Sequence, residues 1–356
     1  MGDADLYDYE LPRDLIAQEP LADRAAARLL HLHRGTGTLV HRHVRDLPDI
    51  LRAGDLLVVN DTQVIPARLR GRRLQTGGAW EGLFLRAADA AEHPGAWVIL
   101  SKTRGRPALG ERIMLTNQAG ADAGMLHLID RVAGGGWLVI PDDTGPFAAI
   151  LARVGHVPLP GYIRRGEADA VDLDRYQTVF ARHPGSAAAP TAGLHFTPDL
   201  LAILAARGVN KACVTLHVGL DTFRPITAAS ITEHPMHSEW CACPPETVAA
   251  IREAKARGGR VVAVGTTAVR PLETAARAGE GSDGIAPWAG TTDLFITPGF
   301  QFRIVDCLLT NFHMPRTTLM VLVSTFASRP LVERGYAAAI HERYRFLSYG
   351  DAMLIE

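Results

Sequence analysis

The residues best suited to chemistry sit where apolar runs stop. Asn60 and Asp61 close LLVV, His217 stands within VTLHVGL, Thr266 and Thr267 follow VVAVG, and Asn311 and His313 follow VDCLLT. In α/β sheets ligands lie against strand ends, so converging tips of this kind predict one crevice furnished with proton donors and acceptors. The stretch GSAAAPTAGLHFTPDLL, residues 185–201, supplies a loop for it. Its Thr191, Ala192 and Gly193 would let a flat ligand lie against the main chain, while Pro190 and Pro198 stiffen the run. His195 falls just before a helix N-terminus, whose dipole keeps an imidazole neutral and suited to accept a proton. A tight turn packed beneath the sheet, with His195 a satisfied core residue, would use the same residue types.

Two further patterns invite a site reading. GTT at 265–267 offers backbone N–H groups and two hydroxyls to an anion or a ribose, or simply caps a helix. Arg270-Pro271 sets the start of that helix at Pro271. EHPMHSEWCAC, residues 233–243, alternates His237, Glu239, Cys241 and Cys243 on one strand face, with His234 near. A CxC with no second cysteine pair, and Pro235 between the histidines, does not make a zinc knuckle. An ordinary strand with a buried polar cluster is expected there and no metal is assigned; Glu239 stands out as a candidate base.

Cations gather in three places: Arg68, Arg70, Arg72 and Arg73 in RLRGRR, Lys102, Arg104 and Arg106 in SKTRGR, and Arg164 and Arg165 in IRR. The chain as a whole has a formal net charge of -1, so any polyanion must be met by a local patch. Phosphate contacts are the sharp reading and a solvated face the plain one. With no aromatic ladder beside them, a folded RNA recognised by shape fits better than a single strand.

The elements that must carry these residues are legible. LLHLH and TLVHRHV flank a GTG turn as a hairpin, DLPDILRAG is a short helix stopped by glycine, and DLLVVNDT is a buried strand ending in a polar tip. From 67 to 145 the runs WEGLFLR, AWVILSK, ERIMLT, MLHLIDR and GWLVIP recur between Gly, Pro, Asn and Asp clusters, the pattern of a small antiparallel barrel or sandwich. PFAAILARVG follows as a helix with a glycine stop. After 165 strands and helices alternate: TPDLLAILAARG, with Thr197 as N-cap, then ACVTLHVGL, PPETVAAIREAKARGG and RVVAVGTT. The expectation is an α/β domain of residues 1–66 and 158–356 interrupted by a barrel at 67–157.

At 356 residues and 47% hydrophobic content, the chain suits two domains with a real core. It has no long apolar run of membrane-spanning length and no basic-then-apolar leader, which makes a soluble cytoplasmic protein, without membrane contact, the expectation. Four cysteines, none in a CxxC pair, are expected reduced and buried.

NDTQVIPARL, RYQTVFA, GSAAAPTAGLHFT, VTLHVGLDTFRPI, HPMHSE, AVGTTAVRPLE, VDCLLTNFHMP and YRFLSYGDAML, in that order, closely resemble the S-adenosylmethionine:tRNA ribosyltransferase-isomerase family of queuosine biosynthesis. The resemblance implies a discontinuous α/β sheet domain with an inserted six-stranded antiparallel β-barrel. It also implies transfer of the ribosyl part of S-adenosylmethionine onto 7-aminomethyl-7-deazaguanine at the tRNA wobble position, giving epoxyqueuosine, adenine and methionine. S-adenosylmethionine is then a co-substrate, no cofactor or metal is expected, tRNA is the partner, and a monomer is expected. Such a reaction needs a base and an acid, and His195, His217, Glu239 and His313 are the candidates. Asn60, Asp61 and Asn311 would orient hydroxyls, the backbone of Thr191, Ala192 and Gly193 would receive the nucleoside, and Thr266, Thr267 and Arg270 would hold the amino-acid carboxylate. Arg68, Arg70, Arg72, Arg73, Lys102, Arg104, Arg164 and Arg165 would meet the tRNA backbone. The chain departs from the family pattern at Gly161, Asp221 and Pro271.

Rival readings explain less of the sequence. A methyltransferase using the same donor would want a GxGxG-like turn after its first strand, which is missing. A zinc hydrolase would have to rest on HPMHSEWCAC alone, and a non-catalytic RNA-binding protein would have no use for the polar strand tips.

Overall fold

The computed structural model describes residues 2–88, 93–132, 135–219, 225–228, 230–234, 236, 238–280 and 284–356. Strand Leu56–Asn60 is buried along its whole length. Leu56 and Val58 enter one apolar cluster and Leu57 and Val59 the other, the alternation of a strand covered on both faces. Val261–Val264 repeats the pattern. Such strands belong inside a sheet, and these lie in the middle of nine: Trp288–Thr292, Glu239–Cys243, Asn210–Leu216, Leu56–Asn60, Val261–Val264, Cys307–Asn311, Ala352–Ile355, Arg28–Leu32 and Leu39–His43. The four strands from Asn210–Leu216 to Cys307–Asn311 run parallel, so their C-terminal ends share one edge. That edge carries the polar tips.

Helices Pro245–Ala256, Thr266–Ala278, Thr318–Ala327 and Arg329–His341 cover one face through Ile251, Leu272, Val321 and Val332. The single turn Leu47–Ile50 and the helix Pro198–Ala206 cover the other through Leu47, Leu200 and Leu204. Thr197 caps the latter helix by accepting from the N–H of Leu200, and Gly208 ends it with φ +80°, as the sequence predicts. DLPDILRAG yields only four helical residues before the chain turns into the central strand.

The second unit is a closed barrel of six antiparallel strands, Arg68–Arg73, Ala79–Ala87, Trp97–Thr103, Arg112–Thr116, Asp122–Val132 and Gly136–Pro141. Arg68–Arg73 pairs with both Ala79–Ala87 and Arg112–Thr116, which closes the ring and leaves no free edge. Trp80, Trp97, Trp137 and Leu126 fill it, and Ile150, Leu151 and Val154 of helix Phe147–Val154 join the same cluster. The chain thus forms the α/β sheet with an inserted six-stranded barrel expected from its sequence. Gly155 acts differently from the helix stop anticipated. Its φ of -85° is open to any residue, but a Cβ there would lie 1.9 Å from the Pro66 carbonyl oxygen, because Gly155–His156 pairs with Arg68 and Leu69. Chain entry and exit are therefore side by side. Among the described residues no helix is long and apolar enough to cross a membrane.

Candidate active site

Strand Val261–Val264 ends at Gly265, whose φ of +89° suits glycine alone, and the chain turns at once into helix Thr266–Ala278. Cys307–Asn311 ends beside it, Gly265 N–H donating to the Leu309 carbonyl at 2.7 Å. The loop Thr191–His195 lies across these tips. Together they wall a crevice, with Thr191, Ala192, Thr266, Thr267, Asn311 and His313 among its lining residues. The Thr267 hydroxyl is buried and has no hydrogen-bond partner among the described residues. A buried polar group left unpaired at a helix N-terminus is costly unless a ligand completes it. The helix begins at Thr266 rather than at Pro271 as the sequence predicts, and Pro271 sits within it. Burial of Ala268, Val269, Leu272, Ala275 and Ala276 offsets the lost backbone hydrogen bond.

Asn311 organises the floor. Its Oδ1 accepts from the Thr191 hydroxyl at 3.0 Å, its Nδ2 donates to the Leu347 carbonyl at 3.1 Å, and Nδ2 also lies 3.4 Å from His195 Nε2. His195 sits behind it, away from the crevice, in a neighbouring hollow shared with Arg24 and Tyr349. Burial, followed by the charges of Arg24 and Arg345, holds the imidazole down to about 4, so it is neutral at pH 7. His313 does line the crevice. Its Nε2 meets the Thr310 hydroxyl at 2.8 Å, its backbone N–H donates to the Tyr336 hydroxyl, and burial lowers its pKa to about 3.

Other expected residues lie to the side. Asn60 is spent on structure: Nδ2 donates to the Leu216 carbonyl and Oδ1 accepts from the N–H groups of Leu216 and Thr62. Asp61 accepts from the Thr215 hydroxyl at 2.7 Å, with His183 at 3.6 Å. His217 meets the Thr62 hydroxyl at 2.8 Å and stacks on Trp240, its pKa lowered by burial first and by His183 second, against the pull of Asp61. Gly185 is small for this ring: a Cβ there would stand 2.8 Å from it. Gly193 is likewise small for packing, facing Thr178 at 3.0 Å and Phe180, rather than for a ligand.

Arg270 cannot take the role of carboxylate holder. Its buried guanidinium is bonded to Glu239 and to the carbonyls of Thr292 and Leu294. Glu239, the candidate base, also accepts from Gly219 N–H at 2.7 Å, so both members anchor the penultimate strand Glu239–Cys243 to helix Thr266–Ala278. Cys241 and Cys243 are buried apolar neighbours whose thiols burial pushes up to about 11 and about 12. His234 packs on Phe295, while His237 and Asp221 lie outside the described residues. Gly161 faces open space.

The arginine clusters are less free than their spacing suggests. Arg68 pairs with Glu81, Arg70 with Glu167, Arg72 bidentately with Asp122, Arg73 with Glu111 and Arg164 with Asp172. The chain interleaves acids that sequence clustering alone does not weigh. Of the eight cations expected to meet tRNA, Lys102, Arg104 and Arg165 carry no ion pair among the described residues.

Residues not singled out from sequence complete the crevice: Thr310, and the Tyr162 hydroxyl 2.7 Å from Ser348 Oγ. Tyr162 and Ser348 are far apart in the chain, in VPLPGYI and LSYGDAML, and only their packing brings them together.

A family model described as queuosine biosynthesis protein matches residues 4–355. The chain belongs to that family. It is 49% identical over 354 residues to an S-adenosylmethionine:tRNA ribosyltransferase-isomerase of Symbiobacterium thermophilum, covering 98% of each chain. A protein of the same name from Moorella thermoacetica is 49% identical over 355 residues, again with 98% of each chain covered. A crystal structure of S-adenosylmethionine tRNA ribosyltransferase from Thermotoga maritima superposes with TM-score 0.55 at 35% identity, covering 99% of this chain and all of that one. Family membership thus spans both the sheet and the barrel.

Proposed function

We propose that this member of the family is an S-adenosylmethionine:tRNA ribosyltransferase-isomerase, moving the ribosyl group of S-adenosylmethionine onto a 7-aminomethyl-7-deazaguanine in tRNA and releasing adenine and methionine. The carrying observation is the crevice at the parallel strand ends, where the unpaired Thr267 hydroxyl and the N-terminus of helix Thr266–Ala278 suit the amino-acid carboxylate of the donor. A sulfonium acidifies the protons on its neighbouring carbon, so a neutral imidazole can begin the reaction by taking one from the 5′ carbon. His313 stands on the crevice wall and is placed for that task, whereas His195 lines the neighbouring hollow. Adenine departs as its ring accepts a proton. The substrate amine takes adenine's place at C1′, the C1′–O4′ bond opens to an iminium and a C4′ alkoxide, the C5′ carbanion adds to C1′, and the alkoxide displaces methionine from C5′ to close the epoxide. No step in this scheme needs a redox group. We take tRNA to lie against the barrel, met by Lys102, Arg104 and Arg165, and the protein to act as a cytoplasmic monomer.

The test is to mix protein, S-adenosylmethionine and tRNA bearing the aminomethyl-deazaguanine, and to follow free adenine and the mass of the RNA. Adenine release that requires the tRNA, with a ribosyl mass gain on it, supports the reading. A methyl mass gain, or adenine release indifferent to tRNA, overturns it.

A further inference from the structure

The edge of the sheet opposite the crevice holds a group the reaction does not use. His31 lies in strand Arg28–Leu32 and His33 two residues on, so both imidazoles leave the same strand face. Strand Ala352–Ile355 runs parallel to this one, with Leu32 beside Ile355, and delivers Glu356 to the same spot. Ile355 is also the partner of Leu308, so Glu356 stands at the start of Cys307–Asn311, whereas the crevice stands at that strand's end.

Three donors converge there. His31 Nε2 and His33 Nδ1 lie 3.1 and 2.8 Å from one carboxylate oxygen, Glu356 Oε1, and the ring centroids are 4.0 Å apart. All three ligand atoms lie within 4.8 Å of one another, the one such group of His, Cys, Asp and Glu among the described residues. The second oxygen is taken up elsewhere: Arg260 donates to Glu356 Oε2 at 2.6 Å and is itself held by Asp55. Orientation of a ligating carboxylate by an outer hydrogen bond is what metal sites ordinarily show. His31 is 6% exposed, and its Nε2 points at Oε1 from inside the fold.

We propose that His31, His33 and Glu356 form a binding site for a divalent transition-metal ion of the zinc class. Tetrahedral coordination with bonds of about 2.0–2.1 Å sets ligand atoms about 3.3 Å apart, a separation the observed distances reach with small side-chain rotations. Imidazole and carboxylate suit zinc, nickel and copper over magnesium or calcium. The remaining coordination position faces an open groove lined by His33, Arg34, Arg260 and Asp306 and is left to water. The ion would tie the first strand of the sheet to the last without entering the reaction.

Chelator-treated full-length protein titrated with Zn²⁺ alone, and separately with Co²⁺, tests this by equilibrium dialysis and visible absorption. One equivalent should bind, with the d–d bands of a low-coordinate nitrogen and oxygen site and without thiolate charge transfer. His33→Ala and Glu356→Gln should each weaken binding by about tenfold or more. Cys241→Ser should not, and metal should raise the melting temperature of the native chain but not of these two variants. Should His31→Ala fail to fold, the half-exposed His33 carries the test. Absence of stoichiometric binding, binding that survives both variants, or thiolate bands would each overturn the proposal.

Discussion

The side-chain amide of Asn311 sets the tautomer of His195. Its NH2 group is identified by the Leu347 carbonyl, which can only accept, so the same nitrogen presents a hydrogen to His195 Nε2. The proton of the neutral ring is then on Nδ1. The lone pair that a general base would use points at Asn311, which also holds Thr191, instead of into the crevice.

Coupling between these two residues follows. His195→Ala and Asn311→Ala should be non-additive in adenine release, with a coupling energy of about 0.5–3 kcal/mol. His195→Gln, which can still accept from Asn311, should recover most of the loss. Single-turnover rates of the singles and the double decide it. Additive losses would return His195 to the list of bases.

Thr267→Val should separate binding from stability. Removing a buried, unpaired hydroxyl should stabilise the ligand-free protein by about 1 kcal/mol. The same change should weaken S-adenosylmethionine by about tenfold, since the hydrogen bond the ligand would complete is gone. Urea unfolding and calorimetric titration of one preparation measure both. Loss of stability together with unchanged affinity would place the donor elsewhere.

Acid should destabilise the fold through its buried histidines. The folded pKa values of about 4 for His195 and about 3 for His313 lie below the ordinary imidazole value, so the unfolded chain binds these protons first. Stability is full above about pH 6.5 and falls as pH drops towards 4 and 3, by an order of 3 kcal/mol for each ring. His313→Gln should flatten that decline in unfolding midpoints measured from pH 7 to pH 4. An unchanged slope would mean His313 is accessible to protons in the native state.

The barrel arginines should contribute unequally to tRNA binding. Reversing Lys102 and Arg104 to glutamate should weaken it and lower the slope of log affinity against log salt by about one for each phosphate no longer neutralised. Arg72→Glu should do less, because Asp122 already neutralises that side chain. Filter binding across a salt series reads both. Equal slopes for the two variants would remove the distinction.

How much of this was legible beforehand depends on the range of the interaction. Strand Leu56–Asn60, the barrel strands and the Thr197 cap are local patterns, and their apolar runs and capping residues identify them. The convergence of Thr266, Asn311 and Thr191 follows from strand ends sharing an edge, which alternation of strands and helices also implies. The roles of Arg270 and Arg72 were hidden because their partners, Glu239 and Asp122, are remote in sequence. Pro271 misled for a related reason: local preference puts a helix start there, and burial of Val269 and Leu272 outweighs it. The site at His31 reads as nothing more than a hairpin strand until Glu356 arrives from the far end of the chain.

Because Gly155 lies against Pro66, with the strand that follows it paired to the strand that opens the barrel, the ninety or so residues between them hang from a single narrow neck. Bridging that gap needs only a short link, at small loop-closure cost. The barrel is thus a cassette: its exchange between relatives should leave the crevice at the strand ends as it was.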